Sequence, residues 1–231
     1  VCVLQQAELV FHDALIEPDG LALAPHATKV AVGTRSGRHS TAQAFISKRL
    51  IDAARKHAVV VRLKGGDAML FGRAQEEIAA LDAAAIPYEV VPGVTSALAA
   101  AAEAGVSLTQ RGVARTVAFA TPRVGEGEAP SNWAAGAALA DTAVIYMGAG
   151  QAGQVSSALI AAGAARDTPV LVAENASLPE ARRIVLTLEE LPQITWYGIT
   201  GPTLIMVGRA FAVALAAADE NVAFGRVVVT H

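Results

Sequence analysis

The sequence holds a single cysteine, Cys2, which excludes an internal disulfide and most sulfur-based metal sites. Histidine offers no substitute, because His12, His26, His39, His57 and His231 form no helical pair and no zinc-ligand spacing. Aromatics supply only 5% of the 231 residues although 53% are hydrophobic, so the apolar excess is Ala, Val and Leu. A mean hydropathy of +0.43 raises a membrane reading, which needs about 18 or more uncharged apolar residues in a row. No such run exists: Val94–Ala102 ends at Glu103, and Ala210–Ala218 ends at Asp219. Val1–Val10 lacks the basic segment of a secretory leader and already contains Glu8. Cytoplasm is the expected compartment. Charge is thin as well, at 17% of residues with a net of -3, and supplies no basic excess for nucleic acid.

What the sequence does have is alternation. Short runs rich in Val and Ile predict strands at Leu9–Phe11, Lys29–Val32, Val59–Leu63, Tyr88–Val91, Thr116–Ala120, Thr142–Tyr146, Pro169–Ala173, Arg183–Thr187 and Thr203–Val207. Helical patterns fall between them at Thr41–His57, Arg73–Ala85 and Gln151–Ala162. In Arg73–Ala85, Ala74, Ile78 and Leu81 share one face, which puts Glu76 and Glu77 on the outer one. Strands alternating with helices predict an α/β fold with parallel pairing. The run RVGEGEAPSN, Arg123–Asn132, is the clearest break in composition. It divides the chain into lobes 1–121 and 133–231, joined by 122–132. The second lobe has strands too closely spaced for crossover helices, which predicts a mixed sheet. Val1–Gln6 reads as the end of a helix, whereas a doubly wound lobe begins with a strand and a glycine turn.

Two turns stand out. VVVRLKGGDAMLFGR, Val59–Arg73, is a strand running into a Gly-Gly-Asp turn, and open parallel sheets bind ligands beyond such strand ends. Gly65 and Gly66 let a ligand reach the backbone, and Asp67 offers a carboxylate. YEVVPGVTSALAAAAEAGVSLTQRG, Tyr88–Gly112, ends a strand in Pro-Gly and opens a helix with Thr95 and Ser96, which gives hydroxyls beside free N–H groups. Each turn alone reads better as ordinary βα punctuation with a helix cap.

Together, RLKGGD through FGR, the paired Glu76 and Glu77, IPYEVVPGVTSA and GVSLTQRG resemble the central signature of the tetrapyrrole methylases, in the form carried by uroporphyrinogen-III C-methyltransferases. The likeness extends to AELVFHDALI at the start, VGTRSGRHS, AVIYMGAG, ENASLPEARR and GPTLIMVG. It implies a two-lobed α/β enzyme, usually a homodimer, with S-adenosyl-L-methionine in the cleft between a parallel-rich lobe and a mixed-sheet lobe. Cofactor contacts carried over by motif are Gly65, Gly66, Asp67, Leu70, Thr95, Ser96, Met147 and Ala176. The position matching Asp13 carries a proton acceptor.

The implied substrate, uroporphyrinogen III or a related reduced tetrapyrrole, is a polycarboxylate that calls for cations. Arg35, Arg38, His39, Arg73 and Arg111, with Arg115 beside them, are the candidates. The sequence departs from the family at Thr34, where Lys is usual, at Ala68 for Pro, at His12 for Tyr, and at Pro122-Arg123 for a glycine turn. The family's GxGPGD turn is expected ahead of Val1. Three activities stay open: methylation of uroporphyrinogen III to precorrin-2, methylation of a later corrin intermediate, and cofactor or tetrapyrrole binding without turnover. The RLKGGD…FGR and VPGVTSA forms favour the first.

Overall fold

A computed structural model describes residues 2–32, 39–125 and 127–217, and the side chains of all of these except 39–42 and 216–217. The chain forms two compact units, Val1–Thr95 and Ser96–His231. The first unit contains α1 (Cys2–Gln6), β1 (Leu9–His12), α2 (Pro18–Ala22), β2 (Thr28–Ala31), α3 (His39–Ala54), β3 (Val60–Leu63) and α4 (Ala74–Ala83). The second contains α5 (Ser96–Ala104), β4 (Val117–Ala120), α6 (Trp133–Leu139), β5 (Thr142–Tyr146), α7 (Ala152–Ala161), β6 (Pro169–Glu174), β7 (Arg182–Thr187), β8 (Thr203–Gly208) and α8 (Ala212–Ala217).

In the first unit the sheet order is β2-β1-β3 and both pairings are parallel. The central strand is the most buried because it has neighbours on both edges and layers on both faces. Period-two geometry divides its side chains. Leu9 and Phe11 pack with Ile46, Leu50 and Ala53 of α3, while Val10 packs with Ala7, Ala24 and Ala27. The register sets His12 opposite both Ala31 and Leu63. Asp13 and Lys64, the next residues of their strands, therefore leave the sheet along the same edge.

The second unit carries the mixed sheet that the close strand spacing predicts, with order β4-β5-β8-β6-β7. The β4–β5 pair is parallel, and β8 runs antiparallel to both β5 and β6. Its two faces are again sorted by alternation. Ile145, Val172 and Ile205 join one apolar cluster, while Val144, Leu171 and Met206 join the other. Full burial of such side chains contributes about 1.5–3 kcal/mol each.

Two expectations change. Tyr88–Val91 forms no strand and belongs to no ladder among the described residues, and Tyr88 and Val91 are exposed. Pro87 and Pro92 bracket the run, and no strand lies in register beside it to take up its N–H groups. The strand at 117–120, ahead of the Arg123–Asn132 break, pairs with β5 and so belongs to the second unit's sheet. By compactness the chain divides at Thr95–Ser96.

Candidate active site

The carboxyl end of the first sheet gathers most of the unit's buried charge. Arg62 interrupts the apolar β3 and is largely buried, with 13% of its side chain exposed. Its Nη2 donates to Asp13 Oδ1 in a short contact, its Nη1 donates to the Leu63 carbonyl at 3.0 Å, and its Nε reaches Glu77 Oε1 at 3.3 Å. Lys64 Nζ lies 3.0 Å from Glu77 Oε2 and donates to the Gly72 carbonyl. Glu77, placed on the outer face of its helix by the apolar pattern, is instead 5% exposed and turned inward. The pattern is overridden because Arg62, Lys64 and Gln43 offer the carboxylate three donors. Asp13 keeps 29% of its side chain in solvent, and its Oδ2 accepts no protein hydrogen bond among the described residues.

The Gly-Gly-Asp turn follows directly. Gly65 and Gly66 are exposed, and Gly66 takes φ 74°, a left-handed conformation that glycine adopts without strain. A methyl group built at Gly65 would meet nothing closer than Leu15 Cβ at 3.8 Å, so the backbone there is open to a ligand. Asp67 spends its carboxylate internally. Oδ1 accepts the Met69 N–H at 2.8 Å and Oδ2 accepts the Gly93 N–H at 2.9 Å. These two backbone donors hold its pKa below the usual aspartate value. The second bond ties the Pro-Gly turn to the Gly-Gly-Asp turn. Gly93 is required there, because a Cβ would sit 2.2 Å from the Gly66 carbonyl oxygen.

Leu70 is half-buried in the same loop. Arg73 precedes α4 with φ 55° and forks onto Glu76, Nε to Oε1 at 2.6 Å and Nη2 to Oε2 at 2.7 Å. That pairing draws the Glu76 pKa down. Arg73 also lines an open groove of 580 Å³ between α3 and α4, with Lys48, Arg55 and Asp52. Thr95 ends the first unit and Ser96 begins the second.

In the second unit β4, β5 and β6 all end on one edge of the sheet. Met147 follows β5 with φ 57° and is 44% exposed. Ala176 follows β6, between Asn175 at φ 55° and Ser177 at φ 72°. The Ala97 N–H, one residue into α5 from Ser96, donates to Tyr146 Oη at 3.3 Å. Ala97, Tyr146 and Ala176 also share one apolar cluster. Ser96 and Met147 thus adjoin the bonded Ala97 and Tyr146, whose cluster Ala176 packs against, while Asp13 and the loop of Gly65, Gly66, Asp67 and Leu70 follow neighbouring strands in the other unit. Arg111 stands apart, exposed in the turn closed by Gln110 and Ala114. Arg35, Arg38 and Thr34 fall outside the described residues, as does the side chain of His39.

Sequence reasoning passed over Arg62, Lys64, Glu77 and Gln43 as site residues. The available signal was the pair of cations, Arg62 and Lys64, at the end of a strand otherwise made of Val and Leu.

A glycine turn and a half-exposed carboxylate lie beyond the ends of adjacent parallel strands, the place where open α/β sheets generally bind ligands. The chain belongs to the Tetrapyrrole (Corrin/Porphyrin) Methylases, which match residues 1–192. It is similar to the siroheme synthase of Zymomonas mobilis, with 42% identity over 89% of this chain and 44% of that protein. The siroheme synthase of Tolumonas auensis is 40% identical over 91% of this chain and 45% of its own length. The chain therefore spans less than half of the curated relatives it matches. Among solved structures, the uroporphyrin-III C-methyl transferase of Thermus thermophilus complexed with S-adenyl homocysteine superposes with a TM-score of 0.79 and 37% identity, covering 92% of this chain and 90% of that one. A cobalt precorrin-4 methyltransferase of cobalamin biosynthesis aligns at 0.77 and 28%, over 90% and 87%.

Proposed function

We propose that this chain carries out S-adenosyl-L-methionine-dependent C-methylation of uroporphyrinogen III to precorrin-2, on the way to sirohaem or cobalamin. The observation that carries the reading is the common register of β1 and β3. It brings Asp13 and the Gly65–Asp67 turn to one sheet edge, in a chain whose family methylates tetrapyrroles. S-adenosyl-L-methionine supplies a methyl group on a sulfonium, which passes to a ring carbon as the carbon–sulfur bond breaks and its electrons return to sulfur.

The protein's part is placement and proton removal. Asp13 accepts the proton that the methylated ring gives up, through the oxygen that Arg62 leaves unengaged. Gly65 and Gly66 present open backbone to the cofactor. Asp67 acts by holding the two turns together rather than by touching the ligand. Leu70 and Met147 supply apolar and polarizable surface, and Thr95, Ser96 and Ala176 supply small polar or methyl-sized neighbours. Arg73 and Arg111, with Arg35, Arg38 and His39, receive the substrate carboxylates. The working protein is a cytoplasmic homodimer.

Incubation with methyl-labelled S-adenosyl-L-methionine and uroporphyrinogen III tests the reading. Label in precorrin-2 is expected. No label with uroporphyrinogen III but label when a later corrin intermediate is supplied as acceptor, which the likeness to the precorrin-4 enzyme makes the second reading, or cofactor binding with no transfer to either acceptor, would replace it.

A further inference from the structure

Glu77 is nearly excluded from solvent, yet both of its oxygens are engaged and each points to a different part of the site. Oε1 accepts from Gln43 Nε2 at 2.9 Å and from Arg62 Nε at 3.3 Å. Oε2 takes Lys64 Nζ at 3.0 Å. Both cations have a second engagement. Arg62 reaches Asp13 and the Phe11 and Leu63 carbonyls, while Lys64 holds the Gly72 carbonyl at the far end of the loop that starts with Gly65. Anion and cation alternate along Asp13, Arg62, Glu77 and Lys64, and the sum of their charges is zero. A buried carboxylate is retained only where donors compensate its lost hydration. Here the compensating donors are the groups that face the chemistry. A guanidinium fixed at Nε by one carboxylate has little freedom left in how its Nη2 meets a second.

We propose that Glu77 is a positioning residue for methyl transfer. From α4 it sets the orientation of Arg62, so that Asp13 Oδ1 is occupied and Oδ2 is left for the substrate's proton. The proposal rests on the reading of Asp13 as proton acceptor. It predicts coupling between two residues that share no contact of their own.

The experiment compares Glu77→Gln, Asp13→Asn and the double variant for methyl transfer to uroporphyrinogen III, with S-adenosylhomocysteine calorimetry as a check on the fold and the cofactor site. Glu77→Gln is expected to lower kcat about ten- to a hundredfold while KM for the tetrapyrrole moves less than about threefold. In the Asp13→Asn background it should lower kcat by no more than about a further twofold. A kcat unchanged by Glu77→Gln overturns the proposal. So does a double variant that loses the full product of the two single effects, even when Asp13→Asn alone is slow. An Asp13→Asn variant with ordinary kcat marks failure of the acceptor reading itself, and the proposal falls with it. Should Glu77→Gln fail to fold, Glu77→Asp keeps the charge but withdraws it by one methylene. The same kcat loss and coupling are expected, and a folded Glu77→Asp with unchanged kcat is equally fatal.

Discussion

The two sheets of this protein hold the carboxyl ends of their inner strands by different means. In the first, a three-stranded sheet of four-residue strands ends in a chain of charges, Asp13, Arg62, Glu77 and Lys64. In the second, the inner strands β5, β6 and β8 are almost wholly buried and apolar. Its buried carboxylate among the described residues, Glu174, accepts the backbone N–H groups of Thr200 and Gly201 at 2.7 Å each and pairs with Arg182. Burial would raise the Glu174 pKa, but the Gly201 and Thr200 donors and Arg182 outweigh it and hold the group below the ordinary value. The first arrangement depends on directional bonds among charged side chains, the second on bulk burial. Damage to the first should appear as lost rate and damage to the second as lost stability.

The largest expected effect lies in the second sheet. Leu171→Ala empties a site 1% exposed and should lower unfolding free energy by about 2–5 kcal/mol. Val61→Ala on half-buried β3 should cost about 1 kcal/mol. Denaturant titration reads both, and equal losses would erase the contrast. Next comes Asp13→Asn, expected to slow methyl transfer about a hundredfold with the melting temperature little changed. A variant that is unstable rather than slow would mean the charge chain is structural.

Asp67→Ala should weaken S-adenosylhomocysteine binding by about five- to tenfold, because it releases the Gly93 and Met69 amides together. Unchanged calorimetric affinity would remove this turn from the cofactor site. The smallest effect is in pH dependence. A carboxylate whose folded pKa is depressed stabilises above its unfolded pKa and loses that contribution as pH falls through the folded one. The wild type should therefore lose stability from pH 4.5 downward, through Glu174 among other groups. Glu174→Gln should show a shallower acid slope in melting temperature, and parallel slopes would assign the acid sensitivity elsewhere.

Much of the fold is legible in the sequence because alternation and strand length survive burial. Eight of the nine runs read as strands are strands. The exception, Tyr88–Val91, has the composition of a strand but no neighbour in register, and pairing is a property of neighbours rather than of composition. The Gly65–Asp67 turn was readable from its glycines, although what Asp67 does was not. Its partner Gly93 is far along the chain, and the bond between them depends on how the loop returns. Glu77 was the clearest misreading. Helical periodicity sorts residues by hydropathy and cannot register that a neighbouring strand carries Arg62 and Lys64.

The near-contact at Gly93 has an evolutionary consequence. With only a hydrogen where any other residue would place carbon against the Gly66 carbonyl, the two turns behave as one moving part. A substitution at 93 would displace both turns at once, so that glycine limits how far either loop can drift on its own.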